Sequence, residues 1–544
     1  MMSKTLRGAD IVARSLEQLG TSKIFTLSGN HIMSLFDAAL DTKLELIHVR
    51  HEAATVHMAD AWGRLTGEAG IAMVTGGPGH ANAVGALYTA LAAESPMVLL
   101  SGHAMTNELG RGGFQEIRQA DMAAPVTKAS WTSTSAANLG RDMAEAIRIA
   151  TTGRPGPVHV SLPSDLLDEN VEANAIAWPD KTSAARTITL ADAAADAILD
   201  AVAAAKRPLL LAGPQLAHAG GRARVAKLEA ATGAPAVIME SVRGLRDATL
   251  GTYADVLRHA DLVVLLGKAL DFTLHWGAES ALNPACRLII VDPEGVIVDR
   301  AVKEKGASIA LTCVADAAPA IDALIQRSAK RPPRDRSWHA EVHAAIDNRP
   351  KAWAELKSQT PGKLHPAEVF RALRPIADRD PDTVLICDGG EFSQWGQAML
   401  KAERRLINGI AGAIGSALPF AIAARSYETN APVIAVLGDG TFGFHMAEFD
   451  TAVRHNLPFV AVVGTDASWN AESQIQLRDY GRDRMHGCAL LPTRYDQVVT
   501  ALGGYGEMVD KAENLPGAIE RAIASGKPAC VNVMTESIAA PAYR

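Results

Sequence analysis

Two clusters of residues, far apart in the chain, have the types and spacing to do chemistry. In the first, an apolar run from Val433 to Leu437 breaks into Gly438-Asp439-Gly440-Thr441, and a helical pattern continues from Met446-Ala447-Glu448-Phe449 onward. Glycines at such a turn let backbone N–H groups approach a diphosphate, and a helix N-terminus favours its negative charge. Asp439 adds a hard oxygen donor suited to Mg²⁺. A Gly-Asp-Gly triplet alone is a common turn. The next apolar run, Val460 to Val463, ends in Gly464-Thr465-Asp466-Ala467-Ser468-Trp469-Asn470 and returns a second acid to the same edge. Two oxygen ligands at adjacent strand ends suit octahedral Mg²⁺. The second cluster is Val49-Arg50-His51-Glu52-Ala53-Ala54, with its carboxylate 387 residues before Asp439. Alone, it reads as a surface ion pair of Arg50 with Glu52. Together with Asp439, it reads as a functional acid.

The elements that must position these residues follow from periodicity. Short apolar runs ending in glycine turns alternate with helical patterns, the signature of β-α units and parallel sheets, so the fold class is α/β. Periodicity lapses around Asn174 to Arg186, including Trp178-Pro179-Asp180-Lys181, and again across Arg327 to Lys363. Three doubly wound blocks result, at 1–175, 187–328 and 364–535. The first and third parallel each other. Ile24 to Asn30 matches Val384 to Gly390, with Gly29 and Gly389 separated by 360 residues. Ala72 to Gly77 matches Ala435 to Gly440, with Gly76 and Gly438 separated by 362. The expectation is a duplicated domain whose ligands lie beyond the carboxyl ends of the strands. The middle block has strands at Leu209 to Leu211, Leu262 to Leu266 and Leu288 to Asp292. It reads either as a structural spacer or as a nucleotide site for FAD or the ADP part of coenzyme A. No full Gly-x-Gly-x-x-Gly comes after any of these strands, which leaves both readings open.

Bulk properties narrow the class. At 544 residues the chain is too long for one core. A content of 48% hydrophobic and 21% charged residues is that of a globular protein, and a net charge of -7 gives no basic footprint for nucleic acid. Cys286, Cys313, Cys387, Cys488 and Cys530 are scattered without Cys-x-x-Cys spacing, which predicts free thiols and a reducing, cytoplasmic setting. The N-terminal pattern Ile11, Val12, Leu16, Leu19 is an amphipathic helix rather than a signal peptide, and no stretch is long enough to span a bilayer, so no membrane partner is expected.

The chain resembles thiamine diphosphate enzymes of the acetohydroxyacid synthase, benzaldehyde lyase and 2-hydroxyacyl-CoA lyase group. The resemblance covers nearly the whole chain, in the order pyrimidine-binding, middle and diphosphate/Mg-binding domain. It implies that Glu52, in a similar Arg-His-Glu context, activates the cofactor by sharing a proton with its aminopyrimidine ring. That role calls for dry surroundings. The cofactor would then react through a ylide and an enamine. The family's Gly-Asp-Gly is followed by Asn-Asn about two dozen residues later. Here Thr465-Asp466 holds that place, so the implied metal ligands are Asp439, Asp466 and the Ser468 carbonyl, with Asn470 as the fallback. Gly389, Gly390, Gly438, Gly440 and Thr441 are implied in cofactor binding. Gly412 and Ile414 match the turn that holds the pyrimidine amine and props the cofactor into its bent form, with plain core as the alternative for Ile414. Gln115 matches an active-site glutamine, His31 falls where benzaldehyde lyase-like sequences carry a catalytic histidine, and His80 lies on the turn expected to face the same cleft. Each of these three also has a bland reading, an exposed polar residue for Gln115 and hydrogen-bonded structural residues for the histidines.

The reaction implied is C–C bond cleavage or ligation of 2-hydroxyacyl-CoA or 2-hydroxy ketone substrates by a lyase and carboligase. Its alternative is a transferase of the acetolactate synthase type that decarboxylates a 2-oxo acid. A silent family member that keeps only the fold is disfavoured by retention of Glu52 with Asp439. Because those acids lie in different domains, the site is expected at a subunit interface of a homodimer or homotetramer, with a small molecule, such as an acyl-CoA, as the other partner.

Overall fold

The computed structural model describes residues 5–180, 186–332 and 334–543, so Lys181 to Ala185 of the first expected boundary and Pro333 of the second lie outside the described residues. The first sheet comprises β1 (Lys23–Thr26), β2 (Glu45–His48), β3 (Gly70–Val74), β4 (Met97–His103), β5 (Ala129–Thr132) and β6 (Pro157–Pro163). The middle sheet comprises β7 (Pro208–Ala212), β8 (Ala236–Ile238), β9 (Leu262–Leu266), β10 (Arg287–Asp292) and β11 (Ile309–Val314). The third comprises β12 (Val384–Asp388), β13 (Arg404–Ile407), β14 (Val433–Gly438), β15 (Val460–Thr465), β16 (Tyr505–Val509) and β17 (Ala529–Met534). All neighbours in these three sheets pair in parallel. Parallel strands are covered by helices on both faces, so they read as unbroken apolar runs, and every residue of β3, β4 and β6 is buried. A separate antiparallel pair, Thr5–Arg7 with Asn170–Glu172, ties the start of the first block to its end.

The duplication read from glycine spacing is borne out in the topology. The first sheet runs β2-β1-β3-β4-β6-β5 and the third β13-β12-β14-β15-β17-β16, the same order strand for strand. The middle sheet has its own order, β8-β7-β9-β10-β11.

The helices that carry cleft and seam residues are α1 (Glu52–Thr66), α2 (Pro78–Ala92), α3 (Ala219–Thr232), α4 (Ser337–Asp347), α5 (Glu391–Met399), α6 (Ala417–Tyr427), α7 (Asp439–His445), α8 (Glu448–Arg454) and α9 (Asn470–Tyr480). Helix α1 starts where the His51 ring accepts the Ala53 N–H at 3.1 Å and stops at Gly67, whose φ of 78° few other residues adopt. One apolar cluster joins the first and third blocks, from Val56, Met58 and Ala59 on α1 to Leu418, Phe420 and Ala421 on α6. Polar contacts pin that seam. Glu448 accepts the backbone N–H groups of Arg50 and His51, each at 3.1 Å, and the Thr451 hydroxyl at 2.6 Å. Arg64 lies over the Phe420 ring at 5.1 Å and donates to the Ile407 carbonyl at 2.8 Å. The chain segment carrying Glu52 is thus fixed by the third block.

The middle sheet's carboxyl edge meets the first block around a cavity of about 220 Å³ lined by Pro214 to His218, Asp316 and Glu94. A Cβ on Gly213, after β7, would lie 2.2 Å from the Gly267 carbonyl after β9. At the end of β10, Asp292 accepts from Arg154, which also pairs with Glu94 of the first block. Among the described residues no helix is long and apolar enough to cross a membrane. All five cysteines are free.

Phe420→Ala removes a fully buried ring from the seam and is expected to lower stability by about 3–5 kcal/mol. The check is a shift of the urea midpoint followed by circular dichroism, with an unchanged midpoint counting against the shared core.

Candidate active site

The paired strands β14 and β15 place Gly438 beside Gly464, so the loops carrying Asp439 and Asp466 leave the sheet side by side. Asp439 is buried, and its two oxygens accept the N–H groups of Gly440 and Ala467, both at 2.8 Å. Asp466 accepts the Ser468 N–H at 3.1 Å across a turn in which Ala467 has φ 59°. Burial pushes Asp439 up to about 6. Burial, and then the neighbouring Asp439 charge, push Asp466 up to about 7. Neither acid forms an ion pair among the described residues. Two such carboxylates sharing a cleft are a donor set for a hard divalent cation.

Around them lies a cavity of about 160 Å³. The ten third-block residues singled out in the sequence all line it: Gly389, Gly390, Gly412 and Ile414 on one side, and Gly438 to Thr441 with Asp466 and Ser468 on the other. The glycines are required by space. A Cβ on Gly389, itself at φ 95°, would lie 2.2 Å from the Thr441 hydroxyl, and one on Gly440 would lie 2.7 Å from the Trp469 ring. Asn470, the fallback ligand, lines the cavity too, but its amide is engaged by protein. Its side chain donates to the Ile538 carbonyl at 3.0 Å and accepts from Gln474 at 2.9 Å and Ser537 at 2.8 Å.

The first block carries a second cleft. Glu52 opens α1, half-buried, with one oxygen accepting from Asn82 Nδ2 at 3.0 Å. Arg50 pairs with Asp450 at 3.9 Å, so the surface Arg50–Glu52 pair is not what forms. A Cβ on Gly79 would lie 2.8 Å from Thr75 and 3.4 Å from the Glu52 carboxylate, which locates all three together. His31 joins them through Nδ1, 3.1 Å from the Thr75 hydroxyl, and stacks on Phe114 at 5.8 Å. Burial lowers His31 from its ordinary value. Gln115 takes φ 56° and packs on Gly77, where a Cβ would meet its carbonyl at 2.4 Å. His80 does not share this cleft. It is fully buried, with Nδ1 2.9 Å from the Ser101 hydroxyl and its ring 4.5 Å from that of His159, and burial lowers it to about 4.

Sequence reasoning missed several neighbours. Asn82 lies two residues beyond His80, but nothing in a lone asparagine reveals its contact with Glu52. Ser241, Val242 and Arg243, from the loop after β8, form one wall of the third-block cavity, with Val242 packed 3.2 Å from a Cβ position on Gly412. Loop residues of that kind carry no periodic signal.

Three stretches match family models: residues 6–122 the "Thiamine pyrophosphate enzyme, N-terminal TPP binding domain", residues 195–324 the central domain, and residues 388–533 the C-terminal TPP binding domain. A "Probable acetolactate synthase" of Mycobacterium bovis is 31% identical over 99% of this chain and 98% of its own length.

The chain belongs to the thiamine pyrophosphate enzymes.

Within that family the relatives divide between two activities. The human "2-hydroxyacyl-CoA lyase 2" is 29% identical over 97% of this chain and 90% of its own, and the "Acetolactate synthase, catabolic" of Raoultella terrigena is 29% identical over 97% and 94%. This thiamine pyrophosphate (diphosphate) enzyme is therefore of the acetolactate synthase and 2-hydroxyacyl-CoA lyase group. The bare backbone of Gly389, Gly438 and Gly440 and the uncompensated acid pair fit a magnesium-bound diphosphate.

Gly440→Ala presses a methyl group into Trp469, which costs the fold about 1–3 kcal/mol and, by shifting the cavity wall, is expected to weaken thiamine diphosphate binding. Calorimetry should register that loss and its partial recovery in Gly440→Ala/Trp469→Ala. Unchanged affinity in the single variant would place the cofactor elsewhere.

Proposed function

We propose that the protein is a thiamine diphosphate- and Mg²⁺-dependent C–C bond lyase and carboligase acting on 2-hydroxyacyl-CoA or 2-hydroxy ketone substrates. The observation that carries this reading is a buried, neutral His31 beside Thr75 in the Glu52 cleft. Cleaving a C–C bond next to a hydroxyl requires that the hydroxyl lose its proton, whereas loss of CO₂ from a 2-oxo acid does not. A neutral imidazole can accept that proton at its unprotonated ring nitrogen and return it during ligation, while the ring is held by the Thr75 hydroxyl and the Phe114 backbone.

In this reading Asp439, Asp466 and the Ser468 carbonyl hold Mg²⁺. Gly438, Gly440, Thr441, Gly389 and Gly390 hold the diphosphate, and Gly412 and Ile414 shape the space for the pyrimidine. When bound, thiamine diphosphate supplies a nucleophilic carbon and then an electron sink. Glu52, steadied by Asn82, holds a proton at its free carboxylate oxygen for the pyrimidine ring. Gln115, fixed over Gly77, orients the substrate. His80 stays structural.

The second reading, an acetolactate synthase-like enzyme, is favoured by the names of relatives that match nearly from end to end. The middle domain acts in our reading as a strut between its neighbours, and a cavity of about 220 Å³ at its strand ends, lined by Pro214 to His218, Asp316 and Glu94, is where FAD or an ADP group would bind. Incubating the protein with thiamine diphosphate, Mg²⁺ and pyruvate, a 2-hydroxyacyl-CoA or benzoin separates the two readings by product mass. We expect an aldehyde and formyl-CoA from the 2-hydroxyacyl-CoA and two molecules of benzaldehyde from benzoin, with His31→Ala slowing both about 100-fold. Acetolactate from pyruvate, insensitive to His31→Ala, would favour the second reading.

We further propose that the working site forms between two copies. None of the residues lining the Asp439 cavity belongs to the first block, so one chain holds two half-sites. At their mouths stand exposed aromatic rings, Phe114 (64% exposed) beside His31 and Phe444 (54% exposed) beside Trp469, which a partner would cover. Glu52→Gln and Asp439→Ala, each inactive alone, should recover up to about a quarter of wild-type activity per chain when co-assembled, since random C2 pairing leaves one intact site in half the dimers. No recovery in verified mixed dimers would mean that both acids serve the same chain's site.

A further inference from the structure

Far from the acid pair, helices α3 and α4 bring three metal-binding side chains together. His339 and His343 stand four residues apart on α4, so their rings share one helix face, with centroids 4.4 Å apart. Opposite them, Glu229 projects from α3. Its Oε1 lies 2.7 Å from His339 Nε2 and 2.9 Å from His343 Nε2, and the three ligand atoms fall within 4.8 Å of one another.

The surroundings hold each ligand in place. The other Glu229 oxygen accepts the Ala236 N–H at 2.7 Å, which orients the carboxylate and leaves Oε1 to the imidazoles. Helix α4 is anchored one residue before His339, where the Trp338 indole donates to the Pro208 carbonyl at 2.9 Å and Arg207 lies over its ring at 5.4 Å. All three ligands are half-buried. Glu229 and His343 border a cleft of about 700 Å³ between the middle and third domains, which gives access and room for a further ligand. No lysine or arginine pairs with Glu229 among the described residues.

We propose that Glu229, His339 and His343 form a binding site for a divalent transition metal ion of the zinc class, which clamps α4 to the middle domain. Two imidazoles four residues apart on a helix with one carboxylate are a donor set for zinc, with a fourth position left open to solvent. Two nitrogen ligands disfavour Mg²⁺ and Ca²⁺, which take oxygen. Tetrahedral bonds of about 2.0–2.1 Å space their ligands about 3.3 Å apart. The present contacts therefore need to open by only about half an ångström. On binding, the ion replaces whatever protons bridge the imidazoles to Oε1, and these pass to solvent.

The test uses untagged, full-length protein saturated with thiamine diphosphate and Mg²⁺, so that the Asp439 cleft does not compete. Zn²⁺ is titrated by equilibrium dialysis with metal analysis, and Co²⁺ by its visible spectrum. We expect one Zn²⁺ per chain, a strong four- or five-coordinate Co²⁺ band, and a Zn²⁺-dependent rise in melting temperature. Glu229→Gln, His339→Asn and His343→Asn should each weaken Zn²⁺ binding about 10-fold or more. His339→Asn/His343→Asn should abolish the band, with its far-ultraviolet dichroism retained. No saturable Zn²⁺ binding, or binding undiminished in Glu229→Gln and His343→Asn, would overturn the proposal.

Discussion

Burying negative charge without a positive partner is costly, and Asp439 and Asp466 are placed where that cost is felt. Their positions result from the parallel register of β14 and β15, which puts Gly438 beside Gly464 and delivers both loops to one edge of the sheet. Backbone N–H groups from Gly440, Ala467 and Ser468 meet part of the demand. Burial still pushes both acids upward. A divalent cation would meet the remainder and in turn attract a diphosphate, for which the glycine walls leave room. Any side chain at Gly389 or Gly440 would collide with Thr441 or Trp469 in its wall.

Duplication explains how one architecture carries two clusters of functional residues. The first and third sheets share a strand order, so Glu52 and Asp439 each stand at the carboxyl edge of an equivalent sheet. Their chemistry differs because the loops differ. The third block ends its strands in glycine and aspartate, whereas the first sets Thr75, His31 and Asn82 around a carboxylate. Within one chain the apolar seam from α1 to α6 uses the backs of these domains, and Glu448 fixes the backbone next to Glu52. Exposed rings, Phe114 beside His31 and Phe444 beside Trp469, stand next to the two clusters.

The middle domain is tied to both of its neighbours. Arg154 reaches Asp292 from the first block, and Arg405 of the third block pairs with Glu240. Val242 and Arg243 then enter the wall of the Asp439 cavity. Such buried ion pairs between domains fix orientation more than they add stability.

Local chemistry made much of this legible in the sequence. The unbroken apolar runs gave the parallel strands, the glycine spacing exposed the duplication, and Gly438 to Thr441 with Asp466 marked the cavity, because strand periodicity and backbone approach are properties of neighbouring residues. Asn82 beside Glu52, His80 turned toward His159, Val242 against Gly412 and Glu229 facing His339 were decided only by tertiary structure. Each of those contacts joins segments that the chain itself keeps apart, and their proximity depends on sheet order and helix packing that no local pattern encodes.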